Sequence, residues 1–150
     1  MRNPTLVAAA LALSLAAACT PNPAPTDGPP TAAGAAEAQR TWQAQRPAAY
    51  TYEYEISCFC LHRGSYTVEV RNGQIASVRD AATGAPAEAS RLEWIVTPDR
   101  LFEMIAEASR EGTYTRVEYD PRLGYPTEAE IGTLANDAGT LYRITNLRAL

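Results

Sequence analysis

The sequence predicts an α+β fold: a single antiparallel sheet of about six strands with a helix packed on one face, plus a short N-terminal helix. Three observations carry that expectation. Tyr50 to Cys58 alternates apolar and polar side chains without a break, Asn72-Gly73 separates two further alternating runs, and a capped segment of helical periodicity follows Thr97. At 150 residues the chain has room for one core. Its 13 basic and 17 acidic residues give a formal net charge of −4, which argues against a basic groove and a nucleic-acid partner.

Met1-Arg2-Asn3 supplies one positive charge, and Leu6 to Ala18 is an uninterrupted run of small and aliphatic side chains. A helix of that length rises about 20 Å against a hydrocarbon core of about 30 Å. Residues 1–18 therefore read as a signal peptide and not as a spanning helix. The run ends Leu15-Ala16-Ala17-Ala18-Cys19, which resembles the lipobox of bacterial lipoproteins, with Ala16 where Leu is commoner. Cys19 is then the lipidated first residue of the mature chain, and the first expected partner is a membrane. The alternative is an ordinary secretory signal with an incidental Cys. Residues 19–34 are rich in Pro and poor in apolar surface, as a disordered tether would be, and polyproline II geometry gives such a segment a reach of some tens of Å. Thr20 occupies the position where Asp favours inner-membrane retention, so in a two-membrane host the outer membrane is the expected home.

Residues 35–150 read as one globular domain. Ala35 to Arg46 is rich in helix formers, is closed by Pro47, and has Trp42 as its one large apolar side chain. On the first strand, Tyr50, Tyr52, Tyr54, Ile56 and Cys58 share one face, and Thr51, Glu53, Glu55 and Ser57 the other. Tyr66, Val68 and Val70 alternate before Asn72-Gly73, a type I′ hairpin turn, and Gln74 to Arg79 returns. Ile75 and Val78 have opposite parity, which calls for a bulge or an early strand end. Arg91 to Val96 adds a candidate short strand. Thr97-Pro98-Asp99 reads as N-cap, first-turn Pro and first-turn acid of a helix whose stripe is Leu101, Met104, Ile105 and Ala108 and whose end is Gly112. Strands are expected over Thr113–Tyr119, Thr127–Thr133 and Thr140–Leu147, the last two joined by Asn136-Asp137-Ala138-Gly139.

Two patches carry candidate chemistry. Cys58 and Cys60 flank Phe59, and an exported thiol pair meets an oxidising compartment. In a regular strand their Cα atoms lie about 6.6 Å apart with parallel side chains, so a bridge requires the strand to kink. Were the strand to continue, Cys58, Cys60 and His62 would share a face and offer soft ligands to Zn²⁺ or Cu⁺, although the spacing lacks the turn of structural zinc sites. A structural pair, bridged or buried, is the default; thiol–disulfide exchange and metal handling are the rivals. Tyr119-Asp120-Pro121-Arg122-Leu123-Gly124-Tyr125-Pro126 joins two strands. It reads as a rigid turn or as a recognition loop built on Asp120, Arg122, Gly124 and Tyr125, with Arg122 and Tyr125 displayed. A single His and the lack of phosphate-loop, Gly-x-Ser-x-Gly and His-Glu-x-x-His patterns point away from an enzyme, and no cofactor or resident metal is expected.

Tyr50-Thr51-Tyr52 leading to Cys58-Phe59-Cys60, then Val70-Arg71-Asn72-Gly73, Thr97 to Ile105, and Tyr119-Asp120 through Gly124-Tyr125-Pro126 resemble a family of uncharacterised bacterial lipoproteins, a domain of unknown function. The resemblance spans roughly Trp42 to Leu147. Its most specific parts are Cys-Phe-Cys and Tyr-Asp-x-x-x-Gly-Tyr-Pro, and it implies no activity, substrate or cofactor. Leu61 stands where that family tends to have Pro, and His62 is outside its pattern. The functional expectation is an exported, lipid-anchored, non-enzymatic domain facing the periplasm or the exterior. There it would bind or inhibit an envelope protein or other envelope component, with a thiol-redox or metal-handling protein as the alternative.

Overall fold

Alternation on β1 (Ala49–Cys58) decides the architecture: Tyr50, Tyr52, Tyr54 and Ile56 are buried, and the side chains between them face water. The computed structural model describes residues 32–134 and 137–150, so the expected signal peptide, Cys19 and Asn136 lie outside the described residues. α1 (Ala32–Gln45) precedes a meander of β1, β2 (Gly64–Arg71) and β3 (Gln74–Asp80). A single turn, α2 (Ala89–Leu92), then α3 (Pro98–Arg110) lead into a second meander of β4 (Thr115–Tyr119), β5 (Pro126–Ile131) and β6 (Thr140–Ala149). The six strands form one antiparallel sheet in the order β3-β2-β1-β6-β5-β4. The first and last strands are thus central neighbours, and β1 is paired along both edges.

Local chemistry explains most of these elements. Asn72 and Gly73 adopt φ 51° and 77°, the left-handed pair a type I′ turn needs. The β2–β3 register shifts between Glu69 and Val70, and that bulge reconciles the two parities: Val78 pairs with Val68 and Ile75 with Val70, so both fall on one face, Val78 buried and Ile75 partly exposed on the edge strand. Thr97 Oγ1 accepts from the Arg100 N–H at 3.2 Å, Pro98 opens α3, and Leu101, Phe102, Ile105 and Ala108 are buried against the sheet. Met104, expected on that stripe, is only partly buried, and Phe102 takes its place by stacking on Tyr119 at 5.8 Å between ring centroids. Past the helix, Gly112 at φ 70° lets the Thr113 N–H reach the Ala108 carbonyl.

Three expectations are corrected. Ala32–Gly34, assigned to the tether, are the first turn of α1. β2 begins two residues before Tyr66, β5 stops at Ile131, and β6 runs on to Ala149. Residues 91–96 are not a strand. Arg91 and Leu92 belong to α2, and the chain beyond them crosses the buried face of the sheet as a strap. Its carbonyls are claimed from below: the Tyr52 hydroxyl donates to Val96 O at 2.7 Å, and the Tyr54 hydroxyl to Trp94 O at 2.8 Å. Burial pushes the pKa of both hydroxyls up, so each stays a protonated donor.

α1 is held by few groups. Trp42, fully buried, meets Tyr50 and Tyr125 edge-on at 5.6 and 5.9 Å, and Arg46 pairs with Asp99 of α3 at 2.7 Å. The opposite face of the sheet is wet and charged. Arg143 of β6 bridges Glu55 of β1 at 3.2 Å and Glu128 of β5 at 2.9 Å, and Glu128 also pairs with Arg116 of β4 at 2.9 Å. Such exposed pairs contribute about 0–1 kcal/mol each, so the covered face carries the stability.

Candidate functional site: a disulfide-closed tip

β1 ends at Cys58 because the chain turns there, and the turn brings the Cα of Cys60 to 5.1 Å, close enough for the Cys58–Cys60 disulfide. The kink a bridge requires is therefore present, and the two sulfur atoms are bridged. The shared face of Cys58, Cys60 and His62 does not form. His62 instead stacks on Trp94 of the strap, ring centroids 3.8 Å apart and planes within 15°. Among the described residues no three His, Cys, Asp or Glu side chains gather as a metal set.

Bridging leaves the residues between the cysteines and just beyond them outside. Phe59 is 82 % and Leu61 86 % exposed, the two most exposed large apolar side chains of the described fold. The turn is fastened to α2 by an Arg91 guanidinium N–H that donates to the Leu61 carbonyl. Trp94, 38 % exposed, lies against it through His62, and Trp94 Nε1 donates to Glu93 at 3.0 Å. The tip is thus a short apolar prominence, closed covalently and backed by a stacked aromatic pair. Sequence reasoning found the cysteines and missed Phe59 and Leu61 as exposed apolar groups. The signal was present: two bulky apolar residues at alternate positions around a Cys that must leave the strand to bridge.

The second patch is a turn and not a display. Asp120 Oδ1 accepts from the N–H groups of Arg122 and Leu123 at 3.0 and 2.6 Å, and the Asp120 N–H donates to Tyr125 O at 2.9 Å. Tyr125 is 5 % exposed and sits beneath Trp42, so the expectation that it is displayed is wrong; of the two, only Arg122 points outward. Burial raises the Tyr125 pKa, with the Asp120 charge acting in the same direction. Gly124 adopts φ 80°, and a Cβ there would lie against the Ala38 carbonyl oxygen, 2.9 Å from Thr41 Cβ and 3.0 Å from Trp42 N. The loop exists to seat α1. A further hollow, lined by Tyr66, Asp80, Thr83, Pro86 and Arg91, offers little to a ligand: Asp80 is engaged by its own turn, accepting from Ala82 N, Thr83 N and Thr83 Oγ1.

Two outcomes follow. Gly124→Ala should destabilise the domain by about 1–3 kcal/mol, through the strained φ and the lost fit of α1; an unchanged melting temperature would contradict this seat. In denaturant, Cys58 and Cys60 should resist alkylation until a reductant is added, as read by intact mass. Reduction should cost about 1–2 kcal/mol, the chain-entropy value for so small a ring, and leave the sheet folded.

No curated protein and no solved structure matches this chain. The profile of one family matches residues 34–149, from the first turn of α1 to the end of β6, and by that match the chain belongs to the family of unknown function DUF6174.

Proposed function

We propose that this protein is a bacterial cell-envelope lipoprotein, held to a membrane through lipid on Cys19, whose domain binds an envelope component without catalysing a reaction. The observation that carries the binding part is the tip. Folding leaves Phe59 and Leu61 in water on a turn that a disulfide and an Arg91 hydrogen bond hold in place. Exposed apolar groups on a stiff support lose little conformational freedom on contact, which is the arrangement binding favours. The anchor rests on the sequence: the apolar run to Ala18, the lipobox-like residues before Cys19, and the Pro-rich residues after it. Export agrees with a bridged cysteine pair, since such bonds persist in oxidising compartments. The domain then faces the periplasm or the exterior, from the cell membrane or the outer membrane.

The thiol-redox alternative would use the same two sulfur atoms. It predicts disulfide exchange with a dithiol peptide well above the rate of free cystine, whereas the binding reading predicts none. The anchor is tested by labelling the producing cells with a radioactive fatty acid. Wild type should take up label and Cys19→Ser should take up none; label retained by the variant, or absent from wild type, would contradict the anchor.

A further inference from the structure

We propose that the Cys58–Gly64 turn is a membrane-docking tip, which seats Phe59 and Leu61 at the acyl-chain boundary of a lipid bilayer. This names the envelope component contacted by the site above, and it rests on that reading only for the nearness of a bilayer.

The side chains around the tip are layered as a bilayer surface is. Outermost are Phe59 and Leu61, neither of which packs into the core. Behind them is the His62–Trp94 stack, with Trp94 38 % exposed; an aromatic ring with one polar edge suits the headgroup level. Charge follows the same order. Between Glu55 and Glu69 the chain carries no acid, and Arg63 is the one permanently charged side chain there. Arg91 adjoins it through its bond to the Leu61 carbonyl. Glu93, which accepts from Trp94 Nε1, is the acid that touches this layer, so Arg63 and Arg91 leave the tip with more positive than negative contacts in a chain of net charge −4, complementary to lipid phosphate.

Area separates a bilayer from a protein cleft. A standard protein interface covers about 800 Å² on each partner. Two side chains on a narrow turn offer only a fraction of that, whereas insertion into a bilayer draws on depth and not breadth. Reach is sufficient as well. Cys58 pairs with Thr140 at one end of the sheet, and α1 sits on Gly124 at the other, so tip and tether leave from opposite ends. β1, with 10 residues, is about 33 Å long. The Pro-rich tether expected of Thr20–Thr31 has 12 residues, a length that polyproline II geometry at about 3.1 Å per residue would extend to about 37 Å. A domain anchored at Cys19 can therefore bring its tip down to the same membrane.

The experiment uses the chain from Thr20 onward, oxidised and without lipid, so that a failed anchor does not enter; the described residues 32–134 and 137–150 of that chain hold all six strands, the helices and the core. Vesicles of phosphatidylethanolamine with phosphatidylglycerol, and vesicles of phosphatidylcholine, are titrated while tryptophan emission and co-sedimentation are read. Trp42 is fully buried, so Trp94 reports the contact. The expected result is a blue shift with both vesicles and tighter binding to the anionic ones. Phe59→Ser and Leu61→Ser should each weaken partition about tenfold or more. Arg63→Gln should reduce the preference for phosphatidylglycerol about fivefold and leave binding to phosphatidylcholine intact. The Ser variants remove exposed groups only and should keep the near-ultraviolet dichroism of the buried aromatics. Absence of binding to either vesicle would overturn the proposal and leave the tip to a protein partner, as would binding that both Ser variants retain. Vesicle binding by a chain that takes up no fatty acid in cells would instead sink the anchor and spare the tip.

Discussion

The fold depends on one constraint: β1 carries three tyrosines on a single face, and that face is covered. Each ring removes about 150–250 Å² from water, roughly 4–6 kcal/mol as an upper bound. A buried hydroxyl without a partner costs about 1–3 kcal/mol. Burial therefore wins, and the hydroxyls decide where the cover goes. Tyr52 and Tyr54 find carbonyls on the strap, at Val96 and Trp94. Tyr50 finds none and lies instead under Trp42, its hydroxyl buried without a hydrogen bond. One end of the face thus fixes the strap, and the other receives α1.

That division links the core to the tip. The Trp94 carbonyl is tied to Tyr54 from below, and its ring stacks on His62 of the turn from above. Arg91, three residues earlier, holds the Leu61 carbonyl. The turn after Cys58 is consequently braced by the strap as well as by its own disulfide, and the strap is braced by the core. Stiffness at the tip is a product of packing some residues away. The wet face contributes less, because its Glu55–Arg143–Glu128–Arg116 chain of ion pairs is solvated.

Most of this was legible in the sequence where a local rule operates. Alternation placed β1 and its buried face, Asn72-Gly73 placed the hairpin, and Thr97-Pro98-Asp99 placed the start of α3. The misses are tertiary. Residues 91–96 have strand-like side chains, but they become a strap because two tyrosine hydroxyls claim their carbonyls, a contact about 40 residues away in sequence. Tyr125 resembles a displayed aromatic until α1 is laid over it, and the rigid turn around Gly124 shows its purpose only once the Ala38 carbonyl is found against it. At the tip the cysteines were visible. Phe59 and Leu61 were readable as bulky apolar residues at alternate positions, but their joint display on a turn rests on the strand ending at Cys58, which the disulfide decides.

Site-resolved amide exchange on Tyr54→Phe tests the central claim, that the β1 hydroxyls hold the strap and through it the tip. Trp94 N donates to Arg91 O at 3.1 Å and Ile95 N to Leu92 O at 3.3 Å, so both amides report the strap directly. They should exchange faster in the variant while the amides of β1 and β6 keep their protection. Strap amides as protected as in wild type, or protection lost evenly across the sheet, would contradict it.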